Sequence, residues 1–356
     1  MLIVDAHLDL AYGALRFNRD LRLPVRELRA RERRQAPNPE GVITVSIPEL
    51  LKGGVGLVFA TLFAMPQAAN KVLPDNRRLV YANAQEAYDI AGEQLDYYRR
   101  LADELPQVRF VTSLRDLEGV IASHEEDHQG DPLLGIVPLM EGADPIRRPE
   151  ELEEWYERGL RIIGPAWQHT RYAHGAGSAE GFVGQGFHLL DVMADLGFIL
   201  DITHLSERGT FEAFERYEGQ IIASHNNARA LVPADRHLSD DQIRGLAERD
   251  GVTGMVLFNA FLKAGYARTD PKESVTLQHV AAHIDHVCQL LGTSRHVGIG
   301  SDMDGGFGLQ DTPAEINSSA DLPRLAQVLA ERGYGREDIE AIMGLNWIER
   351  LRRLFA

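Results

Sequence analysis

Eight short runs of β-branched and apolar residues punctuate this chain, at 2–4, 56–63, 133–140, 161–166, 198–203, 220–223, 252–258 and 296–300. Helical patterns lie between them at 82–104, 148–159, 186–196, 207–217, 239–250 and 277–291. This alternation predicts a parallel sheet, because a strand that is to be followed by a parallel neighbour needs a crossover segment long enough to return over the sheet. Eight strands are what a closed barrel requires, so the expected fold is α/β, a (β/α)₈ barrel with any polar site at the C-terminal ends of its strands. The last of the six helices places Val280, Ile284, Val287 and Leu291 on one stripe, as a helix laid against a barrel should. The tail, 321–356, reads as two amphipathic helices separated near 333–335.

The 356 residues exceed the ~150 typical of one domain, but α/β barrels routinely exceed ~250 as a single unit. No linker rich in Pro, Gly or Ser interrupts the chain, and no repeat or low-complexity segment is visible, so one barrel domain over 1–356 is expected, with the helices of 321–356 packing on it. A net charge of −16 speaks against a nucleic-acid partner, which needs a basic face. The one basic cluster, residues 29–34, is interrupted by Glu32 and reads as a solvated helix face. Cys288 is the only cysteine, which rules out an internal disulfide and a cysteine-rich zinc site and fits a reducing compartment. The N-terminus carries no basic leader, and no apolar run approaches the ~18 residues needed to span a bilayer, so a cytoplasmic location without a membrane partner is expected.

The polar clusters of interest follow the predicted strands closely. After strand one comes Asp5-Ala-His7-Leu-Asp9, where the two-residue spacing puts His7 and Asp9 on one face of an extended segment; the pair can share an ion or merely cap the strand end. Strand three ends at Glu141, a carboxylate after an apolar run, which needs either a metal or an arginine partner. Strands five and six run into His204 and His225 at the same relative place, which makes them neighbours on a barrel rim and candidates for metal ligation. Strand eight runs into Asp302, within reach of His7 and Asp9 across the closing seam. Three histidines and three carboxylates from five strands match what a pair of hydrolytic metal ions bridged by a carboxylate requires. His169, three residues past strand four, also falls near the rim, though taken alone a structural role is the better reading. His124, His128, His174, His188, His237, His283 and His286 lack this placement and read as surface or structural residues.

These residues, with Asp201-Ile-Thr-His204-Leu-Ser206, Val232-Pro-Ala-Asp235-Arg236, Asp302-Met-Asp304-Gly and the closing Gly344-Leu-Asn346-Trp, carry a resemblance over nearly the whole length to the membrane dipeptidase (renal dipeptidase) family of zinc peptidases. The resemblance implies two divalent ions, zinc foremost, with His7, Asp9 and Glu141 on one, Glu141, His204 and His225 on the other, and a bridging hydroxide as nucleophile. It implies Asp302 as the proton shuttle, Arg236 as the partner of the substrate carboxylate, and His169 at the substrate carbonyl. Implied substrates are small dipeptides, including those with a C-terminal D-residue, and a homodimer is one assembly open to such a chain.

One departure stands out: many relatives carry Glu-Gly-Gly-His where this chain has Glu141-Gly142-Ala143-Asp144. Asp144 either turns away to cap the helix expected from Arg148 or faces the pocket, where its charge would select basic dipeptides. The chain also ends without the apolar tail of an anchored relative. Two alternatives to a dipeptidase remain open at this point: a related two-metal amidohydrolase acting on N-acyl amino acids or lactones, and a catalytically dead scaffold on the same barrel. Retention of all six polar residues weighs against the latter.

Overall fold

Strands buried on both faces are apolar at nearly every position, and for that reason read as continuous hydrophobic runs. All eight predicted runs form such strands in the computed structural model, which describes residues 1–71, 73–125 and 127–356. They are β1 (Ile3–Leu8), β2 (Val55–Phe63), β3 (Leu134–Glu141), β4 (Ile162–Gly164), β5 (Ile199–Asp201), β6 (Ile221–Ile222), β7 (Thr253–Met255) and β8 (Val297–Ile299), and every residue in them is buried. Most are shorter than the runs that predict them. β1 differs in the other direction, since it extends to Leu8 and so contains His7.

The strands pair in parallel in the order β7-β8-β1-β2-β3-β4-β5-β6. The ring closes between β6 and β7 by a single parallel bridge, Ala223 to Thr253, with the Ala223 N–H donating to Val252 O at 2.9 Å and the Gly254 N–H to Ala223 O at 2.8 Å. A nearly closed parallel barrel results, with helices around it. A further strand, Val108–Phe110, pairs beside the N-terminal half of β3. It escapes sequence reading because it has three residues and only Val108 is buried.

The helix Leu277–Leu291 spans the predicted residues, and Asp240–Glu248 starts at a capping box formed by Ser239 and Gln242. The pattern at 148–159 resolves into a 3₁₀ turn, Pro149–Glu151, and a short helix, Leu152–Glu157. Helices over Leu10–Phe17, Val25–Glu32, Ile47–Lys52 and Leu114–Ala122 lie outside the predicted set. The basic cluster is exposed except for Arg29, which donates to Ile43 O and to Asn317.

The tail forms Arg324–Glu331 and then a continuous helical segment from Arg336 to Phe355, broken by one π turn at Ala341–Leu345. Its closing motif explains itself in the packing. Asn346 donates to the carbonyls of Ser294 and Val297, and the Trp347 indole donates to Ile299 O at 3.1 Å while its ring meets Phe59 edge-on. Trp347 is fully buried among Val4, Leu57, Val137 and Ile199. It seals the end of the barrel opposite the polar mouth, and removing such a side chain from a core typically costs ~3–5 kcal/mol.

Candidate active site

β1 delivers the first imidazole through an irregularity. Asp5 and Leu8 oppose Val58 and Ala60 of β2, so three steps on one strand face two on the other, a bulge that re-aims His7 into the barrel mouth. Asp9 follows at the N-cap position of Leu10–Phe17 but makes no cap hydrogen bond; its carboxylate accepts from Thr61 Oγ1 instead. Glu141 is the last residue of β3, and His204, His225 and Asp302 follow β5, β6 and β8.

These six residues converge. Glu141 divides its carboxylate: Oε2 stands 3.6 Å from His7 Nε2, while Oε1 stands 2.9 Å from His204 Nε2 and 3.6 Å from His225 Nε2. Asp302 Oδ1 lies 4.0 Å from His7 Nε2. Ligating atoms of His7, Asp9 and Glu141 form one group within 4.8 Å of one another, those of Glu141, His204 and His225 form a second, and those of His7, His225 and Asp302 a third. None of the other histidines joins any of these groups among the described residues. His204 and Asp302 hold left-handed backbone conformations, φ +69° and +57°, which non-glycine residues adopt at a cost and which cluster at functional sites.

A second layer fixes the imidazoles. Asp201 accepts from Ser224 Oγ at 2.6 Å and from the Ser224 and Thr203 N–H groups, and Ser224 Oγ in turn lies 2.8 Å from His225 Nδ1 and 3.3 Å from His7 Nδ1. With Nδ1 so engaged, each ring turns Nε2 toward Glu141, an arrangement common around ligating histidines. Sequence reading gave Asp201 and Ser224 no role, although Asp201 opens a motif it singled out and Ser224 directly precedes His225.

The electrostatics are those of a site built around cations. Burial pushes Asp9 and Asp302 above the usual carboxylate range, with the neighbouring Glu141 adding to both. Burial resists a charge on Glu141 too, but His7 and His204 hold it below its ordinary value. Burial, with the Arg236 guanidinium, lowers His204 to about 4, and burial with the nearby His7 lowers His225, so both imidazoles are neutral and have lone pairs to give. His7 Nε2 is buried without a hydrogen-bond partner, and the Nε2 atoms of His204 and His225 face each other at 3.1 Å. An orphaned ring nitrogen, two opposed ring nitrogens and a split carboxylate fit divalent ions, and the all-nitrogen and oxygen donor set suits zinc and similar metals.

A cavity of about 210 Å³ opens above the cluster. Its walls include Tyr12, Phe63, Trp167, Phe258, Phe261 and Phe307, and it also admits Glu40, Arg236 and Arg268. Sequence reading found only Arg236 of these. The Arg236 guanidinium donates to His225 O at 2.9 Å, approaches His204 Nε2 at 3.4 Å, and keeps Nη1 buried without a partner.

Two expected substrate contacts stand elsewhere. His169 is exposed, packs on His174 at 4.8 Å between ring centroids, and accepts from the Gly175 N–H; it lines a smaller adjoining recess and not the main cavity. Asp144 caps no helix and, like His169, lines the smaller recess and not the main cavity. Its carboxylate accepts from Tyr81 OH at 2.6 Å and from the Arg171 backbone N–H at 3.0 Å, with the Arg171 guanidinium 3.3 Å away. Gly142, at φ +80°, turns the chain after the metal cluster, so that proximity to Glu141 in sequence does not carry Asp144 into the pocket. Its charge is met by Arg171, which favours the alternative in which Asp144 turns away from the substrate.

Imidazoles and carboxylates gathered at the C-terminal mouth of a parallel barrel define a metal-dependent barrel hydrolase. The sequence profile of the membrane dipeptidases, Peptidase family M19, matches residues 1–354, and the chain belongs to that family of metallopeptidases. It is 30% identical over 278 residues to an uncharacterized Klebsiella pneumoniae protein from the pqqA 5' region, covering 75% of this chain and 97% of the relative. It is 26% identical over 308 residues to Dipeptidase aclJ of Aspergillus oryzae, covering 85% and 68%. Among solved structures, a metallo peptidase from Rhodobacter sphaeroides liganded with a phosphinate mimic of L-Ala-D-Ala superposes with TM-score 0.79 at 23% identity, over 99% of each chain. The dipeptidase AC, a family M19 metallo peptidase, gives TM-score 0.79 at 22% identity over 100% and 99%. Both share the fold.

Proposed function

We propose that the whole chain acts as one barrel unit, a two-metal dipeptidase that cleaves the peptide bond of small dipeptides, including those ending in a D-residue, in the cytoplasm. The observation that carries this reading is the division of Glu141, one oxygen toward His7 and the other toward His204 and His225. His7, Asp9 and Glu141 would hold one ion, and Glu141, His204 and His225 the other, with zinc the first metal to test. Bound there, two divalent ions supply Lewis acidity at the scissile carbonyl and lower the pKa of water.

The protein's own groups do the rest. Arg236 offers its unpartnered Nη1 to the substrate carboxylate, a match of planar fork to planar anion. Asp302, as the carboxylate, would take a proton from the attacking water and return it to the leaving amine. The aromatic walls exclude bulk water and leave room for a small substrate, the cavity being below the ~300 Å³ at which drug-sized sites begin. The D-residue breadth is supported by the L-Ala-D-Ala mimic held by the Rhodobacter sphaeroides relative. The single cysteine and the absence, among the described residues, of any helix long and apolar enough to cross a membrane are compatible with the location.

Elemental analysis of protein reconstituted with zinc should find close to two ions per chain, with hydrolysis of dipeptides lost on chelation and regained on metal return. Fewer than one ion per chain after reconstitution would sink the reading. Arg236→Lys should raise KM for dipeptides by about tenfold, since an ammonium makes a point contact where the guanidinium makes two. Dipeptide amides should be poor substrates for the wild type. Equal turnover of a dipeptide and its amide would remove Arg236 from carboxylate binding.

A further inference from the structure

Four carboxylates line the main cavity: Asp9, Glu141, Asp302 and Glu40. The first three belong to the groups of potential metal ligands, and Glu40 does not. It comes from the loop between the helices Val25–Glu32 and Ile47–Lys52, with its side chain only 10% exposed. Its two oxygens have different surroundings. Oε1 lies 3.5 Å from Tyr12 OH and 3.8 Å from Arg16 Nε, whereas Oε2 is buried and has no hydrogen-bond partner.

A bland reading makes Glu40 the counter-charge of Arg16, whose side chain is fully buried. That accounts for Oε1 only. The terminal nitrogens of Arg16 are taken by Arg78 O and Asn70 Oδ1, each at 2.7 Å, while its Nε, which faces Glu40 Oε1, has no hydrogen-bond partner. The cavity's other cation beside Arg236, Arg268, donates to Gly306 O and faces Asp311 Oδ2 at 3.5 Å. Burial outweighs the pull of Arg16, Arg19 and Arg268 and keeps Glu40 above its ordinary pKa, so the anion is under-compensated where it stands. A buried carboxylate oxygen without a donor is costly unless something arrives to meet it.

The loop that carries Glu40 is held in place for such a task. Gly41, at φ +107°, passes so close to the β8 loop that a Cβ there would come within 2.5 Å of Gly308 N. Leu309 N donates to Val42 O, and Asp304 accepts from the Thr44 and Val45 N–H groups. The same β8 loop that presents Asp302 thus fixes Glu40, a rigid and preorganised arrangement.

We propose that Glu40 is the receptor for a cationic nitrogen on the amino-terminal residue of the substrate, its free Oε2 accepting from the ammonium while Arg236 holds the carboxylate. This rests on the dipeptidase reading above and adds to it a charge requirement at the opposite end of the substrate. The nitrogen has two sources, the α-ammonium present in every dipeptide and the side-chain ammonium of a lysyl residue.

The test uses the metal-loaded enzyme and its Glu40→Gln and Glu40→Asp variants on L-Ala-L-Ala, L-Lys-L-Ala and L-norleucyl-L-Ala, with thermal melting of each protein as the folding readout. Glu40→Gln should raise KM by ~10-fold or more, the scale of a charge-assisted hydrogen bond. Glu40→Asp, which keeps a charge beside Arg16 but withdraws the oxygen by one methylene, should raise it as well. An equal rise for all three substrates assigns the α-ammonium; a rise for L-Lys-L-Ala alone assigns the side chain. Unchanged KM values in either folded variant overturn the proposal, and so does failure of both variants to fold, which would give Glu40 to Arg16. A wild type that hydrolyses none of the three dipeptides sinks the dipeptidase reading itself, a result distinct from any of these.

Discussion

Glu141→Gln is expected to leave at most one divalent ion per chain and to lower kcat/KM for dipeptides by at least ~10³-fold, because the metals' contribution to such reactions is several kcal/mol and each 1.36 kcal/mol is about tenfold. The substitution keeps the volume of the side chain, so the walls of the site should survive it. What it removes is one ligating oxygen and the negative charge that His7 and His204 stabilise below the usual carboxylate range. Whichever way the amide turns, its NH₂ group faces either His7 or the pair His204 and His225, and an amide nitrogen is a donor with no lone pair to offer. Metal content by elemental analysis after reconstitution, beside kcat/KM on the same sample, checks the expectation. Two ions retained with wild-type kinetics would show that Glu141 does not join the two groups.

The barrel was legible because its strands are buried on both faces and therefore apolar without alternation. Even β6, in which only Ile221 and Ile222 pair regularly, stands out between Gly219 and Ser224. Val108–Phe110 was not legible, since an outward Arg109 in a three-residue strand leaves no pattern to read. The same contrast runs through the site. His7, Asp9, Glu141, His204, His225 and Asp302 lie within or just after barrel strands, so strand position alone predicts that they meet. Glu40, Arg268 and Phe307 come from loops whose course is set by contacts such as Gly41 against Gly308, which local sequence does not encode. Asp144 shows the converse error. Three residues from a ligand in sequence, it is turned aside at Gly142 and consumed by Arg171 and Tyr81.

Asp302→Asn is expected to separate metal binding from proton transfer. Asp302 forms a group of possible ligands with His7 and His225, but it is not needed to complete either of the two groups that share Glu141. Its backbone is fixed independently of its carboxylate: the Asp302 N–H donates to His7 O at 3.2 Å, and φ is +57°. Gly305 packs against the side chain so closely that a Cβ there would sit 2.0 Å from Oδ1, so only a glycine leaves the carboxylate its place in the cavity. Asparagine occupies the same volume and should keep that position without strain. The variant should therefore hold close to its full metal complement while losing ~10²–10⁴-fold in kcat, the range usual for a general acid–base group. KM should change far less, because Arg236 and the aromatic walls remain. The acidic and basic limbs of the kcat–pH profile offer a second reading: the limb that belongs to Asp302 should vanish in the variant, whereas a loss of metal would depress the whole profile without reshaping it. If Asp302→Asn emptied the site along with the rate, Asp302 would be a ligand and the proton would need another carrier.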